Sequence, residues 1–144
     1  MSRLEAAAAQ ELAAAARVAR LATVGADLQP HLVPVTFALL DTAVVIGIDQ
    51  KPKTSHDLRR LRNIRQNPRV ALLWDRYDED WTALWWVRAD GTARVLATGS
   101  ERATTMRTRA IDALVTKYPQ YSPDPPQGPV ITIAVHRWSG WSWA

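Results

Sequence analysis

The side chains with the most evident chemistry are the basic ones between residues 51 and 69. This stretch, KPKTSHDLRRLRNIRQNPR, follows the apolar run AVVIGI and contains one acid, Asp57. So many positive charges in a short span predict contact with an anion such as a phosphate group. A solvated basic face is the alternative, because that is the commoner meaning of a charge run. The basic residues are Lys51, Lys53, Arg59, Arg60, Arg62, Arg65 and Arg69.

The start of a helix inside this stretch would provide an anion site. Thr54 and Asp57 have the spacing of a capping box, which predicts that a helix begins there. Free backbone N–H groups and the positive end of the helix dipole attract anions. Lys51 and Lys53, just before the cap, would reinforce that site, with Arg59 or Arg60 one turn further on.

The predicted helix has two different faces. Leu58, Leu61 and Ile64 form an apolar stripe that should pack, and Asn67–Pro68 should end the helix. At about 100° per residue, Arg60 lies at the far flank of the stripe. The residues predicted to point away from it as donors are His56, Arg59, Arg62, Asn63 and Gln66.

Other catalytic patterns are weak. His31, His56 and His136 lie on three different predicted elements, and no HExxH, GxSxG or paired metal-ligand spacing accompanies them. The absence of cysteine excludes thiol catalysis, disulfides and cysteine-ligated metals. We therefore predict no metal site, and we expect an enzyme of this sequence to take its chemistry from a cofactor.

Seven tryptophans form the second unusual feature. Trp74 and at least one of the adjacent pair Trp85 and Trp86 should be core residues, because alternate residues of a strand face inward. The terminal RWSGWSW is different, since its indoles could line a flat aromatic ligand or fill a subunit interface.

The length and composition fit one globular domain. A chain of 144 residues with a net charge of +4 predicts a single domain over residues 1–144 and an anionic partner. Glu5 and Glu11 interrupt the alanine-rich start, so we predict a helix over residues 3–16, with a stripe through Leu4, Ala8 and Leu12, and neither a signal peptide nor a membrane span. The expected location is the cytoplasm.

The remaining elements are mostly strands. Pro30 and Pro34 cannot donate to a sheet ladder, which predicts an edge strand or one that faces a ligand. The turn sequence ADGT at 89–92 predicts a hairpin, and Gly140 is expected to break the last strand. A helix is expected over 101–118, with Met106, Ala110 and Leu114 on its packed side.

About six short antiparallel strands without a βαβ rhythm predict a mainly β, α+β fold with a closed or nearly closed barrel. The predicted strands cover residues 17–24, 30–40, 43–49, 69–77, both arms of the hairpin, and 130–144.

Four segments together resemble a known family. ARLATVGADLQPHLVPVTF, AVVIGIDQKPKT, DLRRLRNIRQNPRVALLWDRY and VITIAVHRWSGW are similar to the pyridoxamine 5'-phosphate oxidase-like proteins, in particular to oxidoreductases dependent on the deazaflavin coenzyme F-420. The resemblance covers roughly residues 17–143 and implies an FMN-binding-like split β-barrel. It also implies a homodimer with the cofactor in a groove between the subunits.

The same resemblance implies the site residues. Basic residues after the third strand and in the following helix would hold the cofactor phosphate, the second strand and Ile48 would line the ring, and the last strand would reach the cofactor of the other subunit. The residues that match are Lys51, Lys53, Arg59, Arg60 and Asn63 for the phosphate, Pro34, Val35, Thr36 and Ile48 for the ring, and Arg137 and Trp138 on the last strand.

One departure narrows the implied function. The second strand, PHLVPVTFALL, has no Arg or Lys, which is against vitamin B6 oxidation and favours F-420 over FMN. The expected activity is hydride transfer between reduced F-420 and a small organic acceptor. No residue is identified as catalytic, and His31 is only a candidate proton donor.

Several alternatives stay open. The same fold could hold FMN or a heme-like tetrapyrrole, and the protein could be a cofactor carrier rather than an enzyme. An Arg-rich helix with tryptophans would also suit a nucleic-acid-binding module. Because the positive charges cluster in one stretch and DRYDED follows shortly after, we expect no nucleic acid as partner.

Overall fold

A computed structural model describes residues 2–48, 55–96 and 101–144, and of residues 55–58 only the backbone. These described ranges contain eight strands, three α-helices and two short 3₁₀ turns. The helices are α1 (Ala6–Ala15), α2 (Ser55–Gln66) and α3 (Glu101–Lys117). The strands are β1 (Ser2–Arg3), β2 (Ala19–Val24), β3 (Pro30–Val35), β4 (Ala38–Leu40), β5 (Ala43–Gly47), β6 (Arg69–Arg76), β7 (Trp85–Leu96) and β8 (Val130–Ser142), and the 3₁₀ turns are Trp81–Ala83 and Pro119–Tyr121.

All the strands form one antiparallel sheet in the order β3-β2-β6-β7-β8-β5-β4, with β1 paired to the end of β8. The sheet curls into a half-barrel, and the predicted α+β split-barrel fold is confirmed. β3 pairs only with β2 among the described strands, as its two prolines predicted. Thr36 and Phe37 interrupt the predicted run 30–40 and separate β3 from β4.

The predicted hairpin at 89–92 is wrong, because β7 runs through Asp90–Gly91 without a turn. Instead the pairing of β7 with β8 shifts at this point, from Asp90↔Arg137 to Gly91↔Val135. A Cβ on Gly91 would lie 2.5 Å from the Ala134 carbonyl oxygen, so only glycine permits this approach of the strands. The glycine marks a β-bulge and not a reversal of the chain.

The two ends of the chain also differ from expectation. β8 continues through Gly140, where a break was predicted, because β7 pairs with it on one side and Leu4 N donates to the Gly140 oxygen on the other. The opening helix begins at Ala6 and not at residue 3. Residues 2–3 form β1 instead, which places Arg3 beside Trp141.

The core has two layers. The inner face of the sheet packs against α1 and α2 around Trp74, Phe37 and Leu72, all essentially inaccessible to solvent. The outer face of β4, β5, β7 and β8 packs against α3 through Ala110 and Leu114. Two predicted packing positions are wrong. Ala8 of α1 is exposed, whereas Ala9 and Ala13 are buried, and Met106 of α3 is 38% exposed. Trp81 lies in a 3₁₀ turn and is 64% exposed.

Within the described part of the chain, no helix is long and apolar enough to cross a membrane.

Candidate functional site

Among the described residues, no helix covers one face of the sheet on β3, β2 and β6, and this face continues onto the first half of β7 and the end of β8. We call it the open sheet face. Strand pairing places Pro34, Arg20, Leu73, Arg88 and Ser139 in one row across it. Leu73 is 39% exposed, and Leu32 in the neighbouring row is 67% exposed. These two side chains leave apolar surface exposed to solvent on this face.

A cleft of about 300 Å³ lies at the β1–β8–β7 end of this face. Its lining combines positive charge with indole rings, which suits a flat anionic group because guanidinium and indole groups both favour aromatic faces. We call it the tryptophan cleft, and its principal residues are Arg3, Arg88, Arg137, Trp86, Trp138 and Trp141.

The charges in this cleft are only partly neutralised. Arg88 Nε donates to Asp90 Oδ2 at 3.1 Å. Arg3 and Arg137 have no carboxylate or hydrogen-bond partner within the described ranges, and Ser139 Oγ is buried without one. A buried hydroxyl without a partner costs free energy, so a ligand that bonds to it would be favoured. The residues therefore fit an anionic aromatic group.

The β-bulge described above has its extra residue in β8, opposite Asp90–Gly91, and it determines which way the side chains of β8 point. Before it, Ile131 and Ile133 face the core; after it, Trp138 and Gly140 do, because one extra residue shifts the alternation. Trp138 consequently stacks on Trp74, with ring centroids 5.6 Å apart, while it also lines the cleft. Arg137 stays on the open sheet face, opposite Asp90.

The segment predicted to line the cofactor ring lies elsewhere on the same face. Pro34 is exposed, Thr36 is half-buried, and Val35 faces the core with 6% exposure. Pro34 and Ser139 are four strand spacings apart, which is roughly 19 Å along the sheet at about 4.8 Å per spacing. Within one chain the structure therefore does not bring Pro34 and Thr36 together with Arg137. Ile48 is buried in the core, and its N–H donates to the Pro129 oxygen.

Helix α2 distributes its predicted residues over different environments. Arg59 Nη2 lies 3.8 Å from Asp27 Oδ2, and Arg60 is half-buried. Asn63 was predicted on the donor face, which is wrong: it is 2% exposed and donates to Thr23 Oγ1 at 3.1 Å. Leu61 and Ile64 pack as predicted, but Asn63 also turns inward because the buried Thr23 hydroxyl requires a partner. Lys51, Lys53 and the cap at Thr54 lie outside the described residues.

A polar cluster that the sequence did not reveal surrounds Thr36. The Thr36 and Tyr121 hydroxyl oxygens are 2.6 Å apart. Tyr118 donates from its hydroxyl to the Arg17 carbonyl and accepts from Phe37 N. Lys117 Nζ lies 3.5 Å from the centroid of the Phe37 ring and has no hydrogen-bond partner in the described part of the chain. The KYPQY sequence at the end of α3, with three polar aromatic or basic residues close together, was the available signal.

Burial and the nearby Arg17 guanidinium lower the pKa of Lys117 to about 8. Burial also raises the pKa of the Tyr118 hydroxyl. Both shifts have the same cause, which is that a charged group loses hydration beside the aromatic rings. Lys117 is thus partly neutral at mildly alkaline pH.

The lowered pKa of Lys117 predicts that stability rises between pH 8 and pH 10.5. The folded protein releases the proton at about pH 8 and the unfolded chain near 10.5, so the unfolded state binds more protons in this window. We expect the melting temperature of the wild type to increase relative to that of Lys117→Met as the pH rises from about 7 to about 9.5. Thermal unfolding of both proteins at both pH values measures it. Parallel pH profiles would contradict the lowered pKa.

Comparison with known proteins gives three informative similarities. The chain is 34% identical over 105 residues to a 5a,11a-dehydrotetracycline/5a,11a-dehydrooxytetracycline reductase of Streptomyces rimosus, covering 70% of this chain and 68% of the reductase. A FAD-binding protein of Mesorhizobium loti has the same fold, with a TM-score of 0.72, 23% identity and coverage of 96% and 95% of the two chains. The heme storage protein of Vibrio cholerae has it too, with a TM-score of 0.68, 16% identity and coverage of 92% and 90%.

The Mesorhizobium and Vibrio proteins bind different ligands on one fold, so the fold by itself does not determine the ligand. The family is determined by sequence: the pyridoxamine 5'-phosphate oxidase family matches this chain over residues 5–142, which is nearly its whole length. This match and the identity to the Streptomyces reductase lead to one conclusion. The chain belongs to the pyridoxamine 5'-phosphate oxidase family.

Proposed function

We propose that this protein is an oxidoreductase that uses the deazaflavin coenzyme F-420 to reduce a small organic acceptor. The observation that carries the proposal is the 34% identity to a reductase of dehydrotetracyclines, a relative that acts on an organic molecule other than a B6 vitamer. The second strand supports it, because it has no basic residue for a substrate phosphate.

In the proposed complex the coenzyme supplies the hydride, and the protein supplies binding and orientation. Lys51 and Lys53, with Arg59 and Arg60, hold the coenzyme phosphate. Pro34 and Thr36 border the ring, and Arg137 with Trp138 holds the flat anionic end through charge and stacking. The Thr36 and Tyr121 hydroxyl pair, 2.6 Å apart, orients polar atoms beside the ring.

The proposed active form is a homodimer that pairs two open sheet faces. The support is geometric: along the sheet of one chain, Pro34 is roughly 19 Å from Ser139 and from the β8 side of the tryptophan cleft, so a single ring does not reach both Pro34 and the β8 residues. A two-fold axis that crosses this face brings the β3 edge of one subunit to the cleft of its partner. Leu32 and Leu73, exposed in the single chain, are buried by the same pairing.

The proposed acceptor is a planar polycyclic or conjugated compound, as the dehydrotetracyclines are for the relative. Trp86 and Trp141 are half-buried on the open sheet face and offer ring surfaces for such a molecule. Arg3 and Arg137 favour an acceptor that carries negative charge.

A flavin is the second candidate cofactor. The Mesorhizobium FAD-binding protein supports it, and the Vibrio heme storage protein supports a tetrapyrrole on the same fold. In either case the residues that hold the group remain those named above. A carrier protein would also use them.

Ligand titration distinguishes these possibilities. We expect F-420 to quench tryptophan fluorescence saturably, because Trp86, Trp138 and Trp141 line one cleft, and to bind at least about tenfold more tightly than FMN or heme. Single-stranded DNA serves as the polyanion control. Tighter binding of FMN, heme or DNA than of F-420 would refute the proposal.

A second experiment distinguishes an enzyme from a carrier. Reduced F-420 is mixed with a dehydrotetracycline, and oxidation of the coenzyme at a catalytic rate indicates an enzyme. If the protein binds the coenzyme but no tested polycyclic acceptor oxidises it, the protein is a carrier.

A further inference from the structure

A second and larger cleft lies at the opposite end of β7 and β8. Its volume is about 620 Å³, and it is bounded by the end of β7, Thr132 of β8 and the first half of α3. Along β7, Trp86 of the tryptophan cleft and Arg94 of this one are separated by roughly 26 Å at 3.3 Å per residue. The two clefts are therefore separate places on the molecule, and we call this one the α3 cleft.

The charge in the α3 cleft is mostly positive and mostly unpaired. Three arginines line it, against one acid, Glu101. Arg109 is bound to Asp41 at 3.0 Å. Arg94, from the sheet, and Arg102, from the helix, have no hydrogen-bond or carboxylate partner within residues 2–48, 55–96 and 101–144. The two guanidinium groups are thus available to an anion from outside the chain.

The same cleft has apolar surface beside these charges. Leu96 is buried under α3, whereas Met106, one turn before the buried Ala110, is 38% exposed. A methionine side chain is flexible and polarisable, which suits contact with apolar groups of different shapes. Positive charge beside an adaptable apolar surface fits an amphipathic ligand better than a bare inorganic ion. The volume is within the range of small-molecule sites, about 300–1,000 Å³.

We propose that the α3 cleft binds a small organic anion, with a carboxylate or phosphate monoester head on an apolar body. Arg94 and Arg102 bind the head group, and Leu96 and Met106 contact the apolar body. This site is separate from the tryptophan cleft and does not depend on the identity of the cofactor.

The methionine content gives a direct test. The chain has two methionines, Met1 and Met106, so protein labelled with ¹³C at the methionine methyl groups gives two assignable NMR signals. The probes are 1-naphthaleneacetate, 1-naphthyl phosphate and the neutral 1-naphthaleneethanol. We expect at least one anion to shift the Met106 signal saturably, at concentrations about tenfold or more below those at which the alcohol does so. The stronger anion identifies the head group as carboxylate or phosphate.

Matched variants assign the binding to these arginines. Arg94→Gln with Arg102→Gln should lower the affinity for the anion roughly tenfold or more. The control, Arg65→Gln with Arg76→Gln, removes the same charge from other exposed positions and should leave that affinity unchanged. The titration is repeated in the presence of saturating F-420, which should not alter the affinity for the anion. Equal binding of the neutral alcohol, no saturable shift of Met106, equal loss in the control pair, or competition by F-420 would each overturn the proposal.

Discussion

Replacing Lys51 and Lys53 with Glu is expected to lower the affinity for F-420 at least roughly a hundredfold. The two lysines precede the predicted N-terminus of α2, where a phosphate would meet both the lysine charges and free backbone N–H groups. Each charge-assisted hydrogen bond is worth about 1.5–3 kcal/mol, and the two glutamates add repulsion. The melting temperature should change little, because a surface charge contributes within about ±0.5 kcal/mol.

The matched control reverses the charge at two basic residues that are assigned neither to the cofactor nor to either cleft. Arg65→Glu with Arg76→Glu alters the net charge equally, and both residues are exposed. Dissociation constants and melting temperatures are measured on the same samples at physiological salt. If the two double variants bind F-420 equally well, the basic stretch is only a solvated face, and Arg137 becomes the next position to test.

Leu73→Asp is expected to convert a dimer into a folded monomer. Leu73 lies near the middle of the open sheet face, in the row between Arg20 and Arg88, and it is 39% exposed in the single chain. Removing the new carboxylate from water in the dimer costs several kcal/mol, and Arg20 and Arg88 can pair with it in the monomer as well as in the dimer. The cost therefore corresponds to at least roughly a hundredfold in the dimer dissociation constant. Because Leu73 points away from the core, the monomer should keep its fold. F-420 affinity should fall with the dimer, since the proposed site needs both subunits.

Sedimentation at micromolar concentration, with circular dichroism on the same samples, measures this effect. Leu28→Asp is the control, because it makes the same change at an exposed turn residue whose φ of 61° an aspartate tolerates. A wild type that sediments as a monomer with bound F-420 would remove the dimer from the proposal. Equal dissociation by both variants would place the interface elsewhere.

Local patterns predicted most of the regular structure. The apolar spacing of Leu61 and Ile64 and the stop at Asn67–Pro68 predicted α2, since a helix buries one stripe and proline cannot continue it. Pro30 and Pro34 predicted that β3 lies at a sheet edge, because neither can donate a ladder hydrogen bond. Such features depend on residues near each other in the chain, so the sequence is sufficient to infer them.

Pairing between distant segments overrode several local signals. Asp90–Gly91 has the composition of a turn, yet β6 and β8 pair with β7 on both sides there and hold it extended. Asn63 was assigned to the polar face of α2 by its angle alone, but the buried Thr23 hydroxyl bonds to it. A hydrogen bond or a strand pair that forms across the fold can outweigh a local preference of about 1 kcal/mol.

The sequence by itself determined the family and the split-barrel class through its resemblance to known proteins, and its charge pattern determined the residue types that could bind an anion. Only the tertiary structure decided which of those residues share a surface. It placed Arg3 of β1 beside Trp141 and in one cleft with Arg137, turned Trp138 toward Trp74 through the bulge in β8, and buried Lys117 against Phe37. Each of these contacts joins segments far apart in the chain, and one extra residue in a strand reverses the direction of every side chain that follows it.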